Sequence, residues 1–180
     1  FGQNKDVLLL DVVNAINNAK KDEKIKGISI EVDNLPAGIT QVDDIRAAIE
    51  DFKKSGKFVY AYGNNMSQGS YYLASVADKL YLNPVGMVEL KGLSTEVTFL
   101  KDFAAKYGIG VDVIRHGKFK AAVEPFIRND ISPENKEQLS TLLNDIWGNI
   151  STKIKTSRKL DDATFKTAVD SLYGFMPELV

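Results

Sequence analysis

The chain has no cysteine, which excludes disulfides, thiolate zinc sites, iron–sulfur clusters and a cysteine nucleophile. It has one histidine, His116, too few for a histidine-rich metal centre. A Ser–His–Asp triad would have to use that residue, which sits in His116-Gly117, a turn signal. No apolar run approaches the ~18–20 residues that span a bilayer. Neither charge is in excess: 23 basic and 24 acidic residues give a formal charge of -1, so nothing in the balance points to nucleic acid. G-x-G-x-x-G, Walker A, calcium-loop and G-x-S-x-G patterns are all missing. No cofactor and no metal site are expected.

What is present is 180 residues with an apolar fraction of 44%, enough for one domain over 1–180 with a sizeable core. The first residue is Phe1 and no leader is in view, so the expectation is a domain excised from a longer chain. Apolar positions at helical spacing run from Val7 to Lys20 and from Val42 to Phe52, the second helix ending at Ser55-Gly56. Between them Ile28, Ile30 and Val32 alternate with polar residues as a strand, followed by a turn-rich loop from Asp33 to Gly38.

The unit then repeats over FVYAYGNNMSQGSYYLASVADKLYLNP: a strand at Phe58–Tyr62, a polar turn, a helix near Ser67–Val76 and a strand at Leu80–Leu82. Strand–helix–strand alternation predicts an α/β fold. Pro84 and Gly86 should interrupt the second strand, with Met87–Leu90 a candidate for a further short one. A helix is predicted over Thr98–Tyr107, and Val111–Ile114 is short and β-branched. Lys118–Asp130 shows no periodicity and reads as irregular. Ser132-Pro133 is a strong helix start, opening a long helix whose apolar face runs from Leu139 to Ile154. Asp161 or Asp162 caps a last one carrying Phe165 and Leu172.

Three places are candidates for chemistry. Ser67 stands where the chain enters a helix, so it is either an N-cap or a nucleophile beside unpaired N–H groups. The loop from Asn34 to Gly38 is either a plain strand-to-helix turn or a presenter of a backbone N–H, at Gly38, to an oxyanion. GKFKAAVEPF holds Lys118 and Lys120 among apolar neighbours. A lysine kept neutral by burial is the remaining ordinary base for a serine. The alternative for Lys120 is a salt bridge with Glu124 or Asp130.

On the combination of SQGSYYLAS with GKFKAAVEPF, supported by GISIEVDNLPAG, the chain resembles the signal peptide peptidase, or protease IV, family of bacteria. The likeness runs through nearly all of residues 7–172, and is to the N-terminal half of the long, duplicated form. The resemblance implies a Clp-protease/crotonase-like spiral of strand-strand-helix units with C-terminal helices, and a Ser/Lys dyad that cleaves signal peptides after their release. It implies that Lys120 is the general base and that the serine nucleophile lies in a C-terminal half-domain. Ser67 matches the nucleophile's place in that other half. Here, however, it follows Met66 and precedes Gln68, where the family pattern has a small residue before and glycine after, so it is expected to be a structural echo. Gly38 matches the oxyanion loop, from which Leu35 and Ala37 depart.

Further implications are a homo-oligomer, apolar signal peptides as substrates, and an inner-membrane-associated protein with this domain on the periplasmic side. The isolated chain should be inactive. Two rivals stand beside this: a non-catalytic peptide-binding and oligomerisation domain, and an acyl-CoA-binding enzyme of the crotonase type. The second needs a nucleotide pocket for which the sequence offers no sign.

Overall fold

The computed structural model describes residues 7–33, 35–113 and 121–176. They form two compact units: the chain up to Lys91 together with the chain from Ile150 onward, and Gly92–Asn149.

In the first unit, α1 (Leu9–Lys21), β1 (Gly27–Glu31), α2 (Ile39–Lys53), β2 (Phe58–Met66), α3 (Gln68–Ala74) and β3 (Lys79–Val88) follow one another. The three strands are parallel in the order β1-β2-β3, as helical crossovers between consecutive strands require. Ile28 pairs with Val59 and Ala61 with Leu80, so strand alternation sends the apolar residues to one face. There Val59 and Ala61 are buried with Val42, Ile49 and Phe52 of α2 and with Tyr72 and Leu73 of α3. Gly56, at φ +78, turns the chain out of α2 in a conformation that disfavours side-chain-bearing residues.

Two expectations about strands are corrected. β3 does not stop at Leu82: it is one strand through Pro84 and Gly86 to Val88. The ladder with β2 passes from Gly63↔Leu82 to Asn65↔Met87 with a register shift, so the missing N–H of Pro84 falls where no rung is made. Nor is Met87–Leu90 a separate strand, since Met87 and Val88 are the end of β3.

The opposite face of the sheet is aromatic. Phe58, Tyr60 and Tyr81 make ring contacts at centroid distances of 4.7 and 6.2 Å, and Phe58, Tyr62 and Tyr81 are each more than a third exposed.

The second unit holds α4 (Lys101–Lys106), a 3-10 turn at Ala121–Val123, α5 (Glu124–Ile127) and the first part of α6 (Pro133–Arg158), whose last residues belong to the first unit. The stretch expected to be irregular is therefore helical from Ala121 to Ile127. Pro125 sits in the first turn of α5, where a missing N–H costs nothing. In the first unit α7 (Asp162–Asp170) is capped by Asp161, which accepts from the Thr164 N–H at 2.7 Å. Among the described residues no helix is long and apolar enough to cross a membrane.

Candidate functional site

The β1–α2 and β2–α3 junctions lie side by side at the carboxyl ends of adjacent parallel strands. Ser67 is in the second junction. It is exposed, with φ -61 and ψ 164, and its Oγ accepts from the Ser70 N–H at 3.2 Å. Its own hydroxyl donates to Ser70 Oγ at 3.0 Å. Ser67 is thus the N-cap of α3, with no basic side chain hydrogen-bonded to it among the described residues.

Gly38 is the N-cap of α2, and its N–H donates to Gln41 Oε1 at 2.9 Å. The donor that an oxyanion would need is already taken by a side chain three residues on. Asn34, in the same loop, lies outside the described residues.

A polar knot ties these junctions together. Asp33, just past β1, accepts from the backbone N–H and side-chain amide of Asn64 and from the Asn65 N–H at 3.0 Å. Asn64 Oδ1 in turn accepts from the Tyr62 hydroxyl at 2.9 Å and from Asn83 Nδ2 at 2.8 Å. The knot coincides with the register shift in β2, where a carboxylate replaces the missing ladder partner for two successive N–H groups. The bond from the Asn64 side chain, helped by the two N–H groups and opposed by burial, holds the Asp33 carboxyl below the ordinary aspartate value.

In the second unit the segment that follows Lys120 is anchored firmly. Glu124 is 1% exposed. It accepts from the Ser132 hydroxyl, from the Ser132 N–H at 3.2 Å and from Asn135 Nδ2 at 3.1 Å. Asp130 pairs with Arg128 at 2.9 Å. Each carboxylate considered as a salt-bridge partner for Lys120 therefore has other donors. Lys118, Lys120 and His116 lie outside the described residues.

Each unit also carries an open, partly apolar pocket. One, of about 810 Å³, is bordered by Met66, Tyr71, Leu80, Val88, Phe165 and Tyr173, with Arg158 and Thr164 among its polar lining. The other, of about 410 Å³, is bordered by Val97, Phe99, Ile131, Leu139 and Leu143. Among the described residues no group of His, Asp or Glu is arranged to hold a metal ion.

Residues 51–173 match the model of peptidase family S49. The chain belongs to peptidase family S49. Protease 4 of Haemophilus influenzae is 40% identical over 157 residues, 87% of this chain and 26% of that protein. Protease 4 of Salmonella typhi is 40% identical over 165 residues, 89% of this chain and 27% of that protein. A chloroplastic serine protease, SPPA, of Arabidopsis thaliana is 38% identical over 131 residues, 73% of this chain and 19% of that protein. This S49 chain spans about a quarter of the length of the two Protease 4 relatives.

The sequence reading missed three groups in this S49 chain. Asp33 stood in a turn-rich loop, and nothing local marks it as an acceptor for residues 31 and 32 positions away. Arg46 stood on an amphipathic helix as one more charge, yet it is 1% exposed. Glu124 was visible only as a partner for Lys120, whereas its serine partner lies eight residues downstream.

Proposed function

We propose that this chain is the base-supplying part of a serine endopeptidase. Lys120 acts as general base of a Ser/Lys dyad, and the serine comes from a C-terminal half-domain of the same, longer protein. The observation that carries the reading is the S49 match together with GKFKAAVEPF, whose second lysine takes the base's place in the resemblance. The geometry of Ser67 supports the same reading: its hydroxyl is spent on capping α3 and on Ser70. So does the engagement of Glu124 and Asp130 with other donors.

Residues 1–180 are read as one crotonase-like domain of strand-strand-helix units, lying within the N-terminal half of the duplicated enzyme. The substrates are apolar peptides, signal peptides released from preproteins, and the two partly apolar pockets are suited to such side chains. The protein works as a homo-oligomer associated with the inner membrane, this part lying on the periplasmic side. Lysine must lose its proton to act as base, and burial against the partner half supplies the desolvation that favours the neutral form. The isolated chain is therefore inactive.

The test is turnover of a fluorogenic apolar peptide. The 180-residue protein should show none, and full-length enzyme carrying Lys120→Met should lose activity by about three orders of magnitude or more. Full activity of Lys120→Met sinks the dyad assignment. Turnover by the 180-residue protein that Ser67→Ala abolishes would place the nucleophile in this half.

A second reading, a non-catalytic peptide-binding and oligomerisation domain, is favoured by the aromatic sheet face of Phe58, Tyr62 and Tyr81. Lys120→Met at wild-type activity, with loss of assembly on Tyr81→Glu, would select it.

A further inference from the structure

The pocket of the first unit is bordered only by residues of that unit, and the dyad chemistry gives it no task. Its walls are mostly apolar, with Leu80, Leu82 and Val88 on the strand side and Phe165 and Ala168 on the helix side. Two polar groups stand out against them, Tyr71 and Arg158.

Tyr71 is 7% exposed, and its hydroxyl makes no hydrogen bond among the described residues. A hydroxyl taken from water without a partner is costly, so an acceptor arriving in the pocket is favoured. Arg158, half-buried at the end of α6, donates from Nη1 to the Ala77 carbonyl at 3.2 Å and forms no ion pair among the described residues. Most of its N–H donors are left over. The two groups share one corner of the pocket: burial raises the Tyr71 hydroxyl above its ordinary pKa, and the Arg158 charge opposes the rise. No carboxylate is among the described residues that border the pocket. A cation and a hydroxyl in an apolar wall, with no acid beside them, suit a ligand with an apolar body and one anionic end.

The strand side narrows the class. Leu80, Tyr81 and Leu82 all border the pocket, although consecutive side chains of a strand point to opposite faces. A space that touches three in a row lies along the strand's edge. β3 ends the order β1-β2-β3, and its outer edge pairs with no strand among the described residues. Unpaired strand backbone accepts an extended peptide, whereas a fatty acid brings no main-chain groups to it.

We propose that this pocket binds the C-terminal end of an apolar peptide, with its free carboxylate received by Arg158 and Tyr71, its side chains by the apolar walls and its backbone by the open edge of β3. Hydrolysis of an apolar peptide leaves such a carboxylate on the N-terminal product, so products of the reaction proposed above belong to the ligand class. The binding itself does not depend on Lys120.

The experiment uses the full-length enzyme as wild type, Arg158→Gln, Arg158→Lys and Tyr71→Phe, with a melting temperature for each. Calorimetry follows the binding of an N-acetylated tetrapeptide of leucine and valine with a free carboxylate, of the same peptide as its C-terminal amide, and of decanoate. Mass spectrometry checks that the peptides stay intact. Wild type should bind the free acid about tenfold or more tightly than the amide. Arg158→Gln should erase that preference while leaving amide binding within about twofold, and Arg158→Lys should keep part of it. Tyr71→Phe should weaken the acid by about threefold. Decanoate should bind more weakly than the acid.

Equal affinity of wild type for acid and amide overturns the proposal, and that comparison needs no variant to fold. A preference for the acid that Arg158→Gln leaves intact puts the carboxylate elsewhere and overturns it as well. Decanoate bound as tightly as the acid, with the same dependence on Arg158, overturns the peptide as occupant. Binding by the 180-residue protein but not by the full-length enzyme means that the enzyme's own chain fills the pocket, which also overturns it. Wild-type turnover in Lys120→Met is a separate outcome that removes the base assignment and leaves this site standing.

Discussion

The guanidinium of Arg46 lies 4.9 Å over the ring of Tyr72, and its Nη1 donates to the Tyr72 carbonyl and, at 2.8 Å, to Ser75 Oγ. Nη2 of the same side chain reaches the Lys153 carbonyl at 3.3 Å and Ser157 Oγ. One arginine on α2 thereby joins α3 to the last turns of α6. The charge lies 3.2 Å from Glu50, four residues on and half-exposed, so its counter-ion sits at the rim of the core and its fork in the interior.

Arg46→Ala should lower unfolding free energy by about 3 kcal/mol or more, read as a shift in urea midpoint, because it deletes several buried hydrogen bonds at once and leaves a cavity where the side chain was. Arg46→Lys should restore little of this, since an ammonium cannot span the four acceptors that the planar fork reaches.

Tyr72 gives the first unit an alkaline limit. Burial first, and then its bond to Asp43, push the Tyr72 hydroxyl up to about 12, with Lys153 pulling the other way. Its folded value lies above its unfolded one near 10, so the stabilisation is fully present below pH 10 and is lost as pH rises towards 12. Tyr72→Phe should be less stable than wild type at pH 8, by about 1 kcal/mol. The gap should close above pH 10, as followed by chemical denaturation at each pH. A gap that is constant from pH 8 to 12 would contradict this origin.

The elements were legible where one periodicity ruled. The alternation of Ile28 and Ile30, the repeat in α2 and the Ser132-Pro133 start of α6 each follow from local chemistry, and each stands within a few residues of its expected place. Pro84 misled because proline's cost depends on whether a partner strand needs its N–H, and that depends on the register of β2. Arg46, Asp33 and Glu124 were unreadable for a related reason. Their acceptors or donors come from residues 8 to 111 positions away, and no local pattern encodes such distances. Of the candidate site, Ser67 as a cap was legible from a hydroxyl before a helix. That Gln41 occupies the Gly38 N–H was not.

Ser67→Ala separates cap from nucleophile. Loss of the Oγ acceptor should cost about 1 kcal/mol of stability, measured on the 180-residue protein. In the full-length enzyme, assayed below its melting temperature, kcat should stay within about twofold of wild type. A fall of several orders of magnitude with the fold intact would return the nucleophile to this position.

Asp33 supplies the acid counterpart. The Asn64 side chain first, and then the N–H groups of Asn64 and Asn65, hold its carboxyl below 3.8 against the opposing effect of burial. A depressed folded value means that the contribution is complete above pH 3.8 and disappears as pH falls through the folded value. Asp33→Asn places an amide N–H₂ among three donors, so it should melt below wild type at pH 6. Because protonated Asp33 also loses its ionic acceptor, the two melting temperatures should converge as pH falls below 3.8 and through the folded value. The convergence should be accompanied by loosening of the β1–α2 and β2–α3 junctions, seen as faster amide exchange at Asn64 and Asn65. Unchanged protection of those two amides in Asp33→Asn would mean that the bulge in β2 holds its shape without the carboxylate, and that the knot is not what keeps the junctions in place.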